Sequence, residues 1–223
     1  ALSGVPREME YLFEHKVITY LRQRFDLRSI IKARVLHTAG VGESQIDERI
    51  GDLETLQNPT IGLAAHAGQV DVRVTAKAAS EREADQLIEK IEQELRQRLG
   101  EWVYGVDQET LEQIALKRVS EKGWTLVVVE AGLGGELVRR LASLRGAFTS
   151  GEVLPTPLPP QELQSRTNSY RLARQANIGV GVAVEINSDR TWLHLVLLTP
   201  EESQSHTLPF GGPPEYAPRW ATH

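Results

Sequence analysis

The most regular alternation of apolar and polar residues runs from position 70 to position 77. Apolar side chains at 70, 72, 74 and 76 alternate there with charged or polar ones, a period of two that predicts a strand with one buried face. Shorter patterns over 31–35 and 60–65 predict two more strands. The sequence His66-Ala67-Gly68-Gln69 predicts the turn between the second and third of these strands.

Helical spacing follows two of these strands. After a Gly40-Val41-Gly42 turn, apolar residues at 46, 50 and 53 predict a short helix. Ser80 and Glu83 have the spacing of a capping box and precede a longer amphipathic helix that Gly100 ends. With a last strand at 102–104, the order is β-α-β-β-α-β, which predicts an α+β domain over 27–105.

The pattern changes after this point. Asp107 is placed to cap a helix, and a solid apolar run over 125–129 is typical of a buried parallel strand. The glycines of 132–135 lead into a helix that extends to Leu144. Beyond a proline-dense connection, the pattern predicts a helix over 161–176 and strands over 178–186 and 191–198. Residues 106–223 are therefore predicted to form a mixed-sheet α/β domain. The inward positions of its first helix are Leu111, Ile114, Ala115 and Val119.

The segment 1–26 predicts a loop and then a helix with Pro6 in its first turn. Apolar residues recur at helical spacing from Met9 to Leu21. The segment is too short to be a domain, so we expect it to be the end of a domain that lies upstream. Its apolar side chains would need cover, which predicts self-association, most simply as a dimer.

Composition narrows the function classes. The 223 residues contain no cysteine, which excludes disulfides, thiolate metal sites and a cysteine nucleophile. The six histidines lack metal-ligand spacing, so no metal or cofactor is expected. The net charge of −5 disfavours a nucleic-acid partner. Without a membrane-length apolar run or a secretory pattern, no membrane partner and a cytoplasmic location are expected.

Several stretches resemble the CinA (competence/damage-inducible) family in the same order. GVPREM, from Gly4 to Met9, resembles the end of that family's N-terminal, molybdopterin-binding-like domain. NPTIGLAAHAGQVDVRVTAKA and GEWVYGVDQETLEQ resemble its KH-type middle domain and the entry to its C-terminal domain. WTLVVVEAGLGGELVRRLAS and FGGPPEYAPRWA resemble the start and the end of that C-terminal domain. The resemblance is strongest over 55–115.

This resemblance implies an architecture and an activity. The family's C-terminal domain hydrolyses the amide of nicotinamide mononucleotide, and its N-terminal domain is associated with pyrophosphatase activity on ADP-ribose. The family tends to be dimeric. By this resemblance the chain is a fragment that lacks most of the upstream domain, which would be a partner in the full-length protein.

The residues for amide hydrolysis are not at the matching positions. A covalent mechanism needs a nucleophile, a base and oxyanion donors. The family has Glu-Ser-Cys-Thr-Gly-Gly at the strand end, whereas this chain keeps Glu130 and has Ala131 in place of the serine. Gly134 and Gly135 remain. We therefore predict no catalytic residue here, and a vestigial pocket at Glu130, Ala131, Gly134 and Gly135.

Two further family elements are missing. The family's base is a lysine shortly after the first helix of the C-terminal domain, but no lysine follows Lys122. Arginine holds its proton too tightly to replace it near neutral pH. The family's glycine- and proline-rich loop between the final strands is replaced by a short turn at 187–189. The resemblance thus implies a degenerate amidohydrolase domain.

Alternatives remain open for individual residues. Gly134 and Gly135 could bind an anion at the helix N-terminus or simply permit close packing. Glu130 could face a ligand at the strand end or be a solvated or helix-capping carboxylate. The Gly40-Val41-Gly42-Glu43 stretch could be an RNA-binding GXXG loop, but it follows a strand and includes an acid, which favours a spacer or dimerisation role.

Two functions follow. The first is a non-catalytic scaffold or oligomerisation module. The second is a hydrolase or pyridine-nucleotide binder that uses other residues, with Glu130 or Asp189 acting on water.

Overall fold

The computed structural model describes residues 4–25, 29–187 and 190–222. Helix α1 (Pro6–Leu12) begins with Pro6 in its first turn, as predicted. A π-helical turn over Phe13–Val17 joins it to α2 (Ile18–Phe25). No described residue of this helical segment is buried. Its apolar side chains therefore stay in contact with solvent.

The first sheet is antiparallel and has the strand order β2-β3-β1-β4. Its strands are β1 (Ile30–Ala39), β2 (Thr60–His66), β3 (Gln69–Ala78) and β4 (Val103–Val106). Helices α3 (Glu43–Glu54) and α4 (Glu81–Leu99) cover one face. The predicted β-α-β-β-α-β order is confirmed, and the alternating side chains of β3 are buried as predicted.

The core of this sheet forms between β3 and the two helices. Val72, Val74, Leu95 and Ile50 are almost wholly buried there. Ser80 caps α4 by accepting a hydrogen bond from the Glu83 backbone N–H at 3.3 Å. The reciprocal bond of the expected capping box is displaced by one residue, because the Glu83 carboxylate accepts from the Ala79 N–H.

The second sheet is mixed and has the strand order β6-β5-β7-β8-β9. Strands β5 (Leu126–Ala131), β6 (Phe148–Leu154) and β7 (Ile178–Ile186) are parallel. Strands β8 (Thr191–Leu198) and β9 (Ser203–Phe210) continue it in antiparallel fashion. The α+β and mixed α/β fold classes are thus confirmed.

Helices cover both faces of the second sheet. The bounds are α5 (Leu111–Glu121), α6 (Glu136–Ala142), α7 (Pro160–Ala173) and α8 (Ala217–Trp220). Leu163 of α7 belongs to a buried cluster on one face. Leu116 of α5, Leu141 of α6 and Ala217 of α8 belong to clusters on the other. The predicted helix over 161–176 is confirmed but ends earlier, at Ala173.

Two strands of the second sheet were not predicted. The sequence pattern predicts no element over 148–154, where β6 lies, or over 203–210, where β9 lies. Strand β9 is polar and exposed at the edge. A cross-strand network ties it to the sheet: the buried His194 ring contacts the Thr207 hydroxyl and the Glu185 carboxylate, each at 3.0 Å. The hydrogen bond from His194 lowers the pKa of Glu185.

The predicted start of α5 was wrong. Thr110 caps this helix by accepting from the Gln113 N–H at 3.3 Å. Asp107 instead adopts a positive φ of 54°, and its carboxylate accepts from the Val35 N–H at 3.0 Å. Ala115, predicted to face inward, is exposed, whereas Leu116 is buried. The buried face of this helix therefore includes Leu116 in place of Ala115.

Candidate functional site

Glu130 lies at the carboxyl end of β5, on the α6 face of the sheet, and is fully buried. Its Oε2 accepts a hydrogen bond from the backbone N–H of Val138 at 2.9 Å. Val138 is the third residue of α6, so the carboxylate caps this helix and satisfies one of its free N–H groups. Of the alternatives for Glu130, the helix-capping role is observed and the solvated one is wrong.

The second carboxylate oxygen of Glu130 is also buried. Among the described residues no hydrogen-bond donor contacts Oε1. A Cβ built on Gly135 would lie 3.8 Å from this atom, so the carboxylate and the glycine turn are adjacent. The first oxygen occupies the N-terminus of α6, where an external anion would otherwise bind.

Ala131 follows Glu130 but points to the opposite face of the strand. It is fully buried and pairs with Leu154 of β6 and Ala183 of β7. Its methyl group belongs to the apolar cluster under α7, which includes Leu163 and Val196. Of the four predicted pocket residues, the structure brings Glu130, Gly134 and Gly135 together and places the Ala131 side chain in a core.

The glycine turn between β5 and α6 is shaped by backbone conformation. Gly132, Gly134 and Gly135 have φ values of 76°, 69° and 89°, which residues with a Cβ rarely adopt. A Cβ on Gly132 would also lie 2.8 Å from the carbonyl oxygen of Val184. These glycines therefore permit a tight strand–helix connection, in agreement with the packing alternative.

The region matched to the family's lysine forms part of β6 and the proline segment after it. Glu152 of β6 forms an ion pair with Arg166 of α7, with Nε 2.8 Å from Oε2, and this hydrogen bond lowers the pKa of Glu152. Both charges of the pair are thereby engaged with each other. The chain offers no lysine in this region.

The connection between β7 and β8 is short. The Asn187 N–H donates to the Arg190 carbonyl oxygen at 2.9 Å, as expected of a tight hairpin. Ser188 and Asp189, which the sequence placed in this turn, lie outside the described residues. The hypothesis that Asp189 acts on water therefore stays a prediction.

The Gly40-Val41-Gly42 stretch connects β1 to α3. Gly40 has a φ of 72°, and Gly42 is the N-cap of α3, with its N–H bonded to the Gln45 side chain at 3.2 Å. An RNA-binding GXXG loop would join two helices. The position of this turn after a strand is therefore the one that the sequence predicted.

Other parts of the described chain add two negative observations. Over these residues, no group of three or more His, Asp or Glu side chains is arranged to hold a metal ion. None of the described helices combines the length and apolar character needed to cross a bilayer.

A polar cluster that the sequence reasoning missed lies at the start of the segment leading to α5. His37, Asp71 and Asp107 come together there from three different parts of the chain. The six histidines are scattered along the sequence, so their spacing gives no signal of this cluster. Only the pairing of β1 with β3, which places His37 opposite Asp71, brings two of these residues together.

Comparison with known proteins gives a consistent result. Residues 33–105 match the family described as "Damage-inducible protein CinA KH domain". The chain is 38% identical over 146 residues to a "CinA-like protein" of Dictyoglomus thermophilum, a match that covers 65% of this chain and 35% of that protein. It is 40% identical over 177 residues to a "Putative competence-damage inducible protein" of Geobacillus kaustophilus, covering 73% and 43%.

The chain thus spans less than half the length of each of these two relatives. Among solved structures, the competence or damage-inducible protein from Enterobacter asburiae is similar over 52% of this chain and 92% of its own, with 15% identity and a TM-score of 0.43. The resemblance to the CinA family inferred from the sequence is confirmed by the domain match and by the two relatives.

Proposed function

Since residues 33–105 match the CinA KH domain family and the chain is similar to CinA-like proteins, we propose that it acts as a non-catalytic scaffold. In this role the two sheet regions hold an upstream domain of the full-length protein in a homo-oligomer. The family's amide-hydrolysing centre is degenerate, and the chain works without a cofactor, a nucleic acid or a membrane, in the cytoplasm.

The observation that carries this proposal is the placement of Ala131. The family resemblance puts the nucleophilic serine at this position, yet the side chain here is a methyl group inside the apolar cluster beneath α7. A serine at 131 would direct its hydroxyl into that cluster instead of toward a substrate, if the backbone kept its course. The missing lysine and the short β7–β8 turn support the same proposal.

The position of Glu130 also supports the proposal of a non-catalytic scaffold. In the alternative function, this carboxylate would activate water. It is fully buried, and one of its oxygens is already bonded to the Val138 N–H. A general base must reach the proton that it removes, and a buried capping carboxylate is poorly placed to do so.

The proposal predicts that nicotinamide mononucleotide does not stabilise the chain against unfolding. A ligand present at a hundred times its dissociation constant would raise the free energy of unfolding by about 2.7 kcal/mol. The measurement is a thermal or urea titration with increasing concentrations of nicotinamide mononucleotide, with adenosine monophosphate as the matched control. Stabilisation by the pyridine nucleotide alone would favour the alternative, a pyridine-nucleotide binder at a non-standard site.

The oligomeric part of the proposal is supported by the first helical segment. Tyr11, Phe13, Tyr20 and Phe25 are exposed on α1, α2 and the turn between them. Large side chains of this kind gain roughly 1.5–3 kcal/mol each when they are fully buried. A second copy of the chain would provide that burial.

We therefore expect a dimer in sedimentation equilibrium, and we expect Phe13→Glu to weaken it. Phe13 is 44% exposed, and loss of its contact would raise the dimer dissociation constant by about 10-fold to 150-fold. Leu172→Glu is the matched control, because Leu172 is 61% exposed on α7, away from this segment. A monomer at high micromolar concentration, or equal effects of both changes, would contradict the expected dimer.

A further inference from the structure

His37 of β1 has acceptors at both of its ring nitrogens. Nδ1 lies 2.7 Å from Oδ1 of Asp71 on β3, and Nε2 lies 2.9 Å from the backbone carbonyl oxygen of Asp107. The ring stacks on Tyr104 of β4, with centroids 5.7 Å apart. The imidazole side chain is 14% exposed, so water has limited access to replace either partner.

Both contacts can exist only when the ring is protonated. A carboxylate oxygen and a carbonyl oxygen accept hydrogen bonds, and only the imidazolium form carries a proton on each nitrogen. Burial lowers the pKa of His37, but the hydrogen bonds to Asp71 and Asp107 and the negative charges of both residues outweigh it, so the pKa is raised. Burial also raises the pKa of Tyr104 to about 12, which keeps the stacking partner neutral.

Asp107 marks the point where the chain leaves the first sheet for the second. Its N–H donates to the Val35 carbonyl oxygen at 2.9 Å, and its Oδ1 accepts from the Val35 N–H at 3.0 Å. Arg34 approaches Oδ2 with its Nε at 2.8 Å. The bond from His37 to the Asp107 carbonyl is a further attachment of this residue to β1, and it depends on the protonation of His37.

Other charged groups surround this contact. His66 of β2 reaches the second oxygen of Asp71 at 3.2 Å. Glu109 accepts from the Val106 N–H at 2.9 Å, and its side chain lines the same cavity of about 300 Å³ as His37. The negative charges of Asp71 and Asp107 favour the imidazolium form, since an opposite charge within a few ångströms stabilises a cation.

The cavity also connects His37 to the second sheet. Glu112 of α5 and Arg140 of α6 form an ion pair on its wall, and Arg140 also donates to the Thr222 hydroxyl at 2.8 Å. The segment that His37 holds therefore continues directly into the helix that is attached to α6.

We propose that His37 is a proton-operated clamp at the junction of the two sheets, which in its protonated form adds a bond from β1 to the Asp107 carbonyl and in its neutral form loses that bond. When one proton is lost, the ring keeps the other on Nδ1, facing the charged Asp71, because hydrogen bonds to a carboxylate are the stronger ones. Nε2 then turns a lone pair toward the Asp107 carbonyl, and that bond is lost. The start of the Asp107–Thr110 segment would then be held to β1 by fewer contacts, those of Val35 and Arg34.

The direction of the pH dependence follows from the raised pKa. The stabilisation from the clamp is fully present below the pKa of an unfolded histidine, about 6.5, and is lost as the pH rises through the higher pKa of the folded state. Hydrogen exchange, corrected for its intrinsic pH dependence, should therefore lose protection at the Asp107 and Glu109 amides across this window. The expected loss is about tenfold for each pH unit that separates the folded and unfolded midpoints.

The test combines a nuclear magnetic resonance titration of the His37 ring with these exchange measurements on the whole chain. We expect the His37 midpoint to lie above its value in the urea-unfolded chain. His37→Gln should abolish the pH-dependent change in protection, and His206→Gln, at an exposed position of β9, should leave it intact. A midpoint at or below the unfolded value in the wild-type chain, or the same pH-dependent change in the His37→Gln variant, would overturn the proposal.

Discussion

Purified chain is expected to release ammonia from nicotinamide mononucleotide at least about 10⁴-fold more slowly than a CinA-family protein that carries the serine and the lysine. Removal of individual triad members in a serine hydrolase costs on the order of 10⁴–10⁶ in rate. This chain has a methyl group at Ala131 and no lysine after Lys122. The measurement is ammonia release at high protein concentration, with the active relative assayed in parallel.

Restoring the serine alone should not restore turnover. Ala131→Ser would place a hydroxyl in the cluster that contains Leu163 and Val196, and nothing at the family's lysine position would deprotonate it. An unpaired buried hydroxyl also costs about 1–3 kcal/mol of stability. The variant is therefore expected to be less stable and still inactive.

One outcome would refute this view of the site directly. If the unmodified chain turned over the nucleotide at a rate comparable to the active relative, and Glu130→Gln abolished that rate, Glu130 would be the base. Because Glu130→Gln could also disturb the cap of α6, the free energy of unfolding of this variant is measured alongside. Loss of activity without loss of stability would identify a chemical role for the carboxylate.

The first sheet could be predicted from the sequence because its local signals agree with one another. The alternation in β3, the Ser80 cap and the stop at Gly100 each specify an element that the structure contains. Strand β3 pairs with β2, which directly precedes it in the sequence, and one short turn joins the two. Local pattern and final packing therefore indicate the same elements.

The second sheet was predicted less completely, for identifiable physical reasons. Strand β9 exposes nearly every side chain, so it has no alternation for a pattern to reveal, and cross-strand contacts such as that of Thr207 with His194 hold it in place. Strand β6 contains Gly151, where a Cβ would lie 2.5 Å from a methyl carbon of Val138. Because glycine is typical of loops, a glycine that close packing requires within a strand makes that strand hard to recognise from the sequence.

The candidate site could likewise be predicted only in part from the sequence. The sequence located Glu130 at a strand end but could not say which side of the strand it faces or what it contacts. Its capping role depends on the position of α6, and the burial of Ala131 depends on α7 lying over the opposite face. The junction at His37 depends on contacts between residues that are 34 and 70 positions apart. These contacts are tertiary, and no local pattern encodes them.

Leu163→Ala is expected to lower the free energy of unfolding of the second sheet region by about 2–5 kcal/mol, the usual cost of emptying a buried leucine site. Leu163 is fully buried and lies directly over Gly181, where an added Cβ would be 3.1 Å from its Cγ. The backbone of a central strand cannot move to fill the gap. Urea unfolding followed by hydrogen exchange would measure the loss and locate it.

Two matched variants make this result specific. Leu172→Ala, on the same helix but 61% exposed, should change the stability by less than about 0.5 kcal/mol. Leu95→Ala empties an equally buried site in the core of the first sheet, at a similar expected cost.

If 27–105 and 106–223 are separate domains, as the sequence predicts, each core variant should lower protection mainly in its own region. Equal loss of exchange protection in both regions from either variant would mean that the two sheets unfold as one cooperative unit. A decrease in the free energy of unfolding below about 1 kcal/mol for Leu163→Ala would contradict the packing under α7.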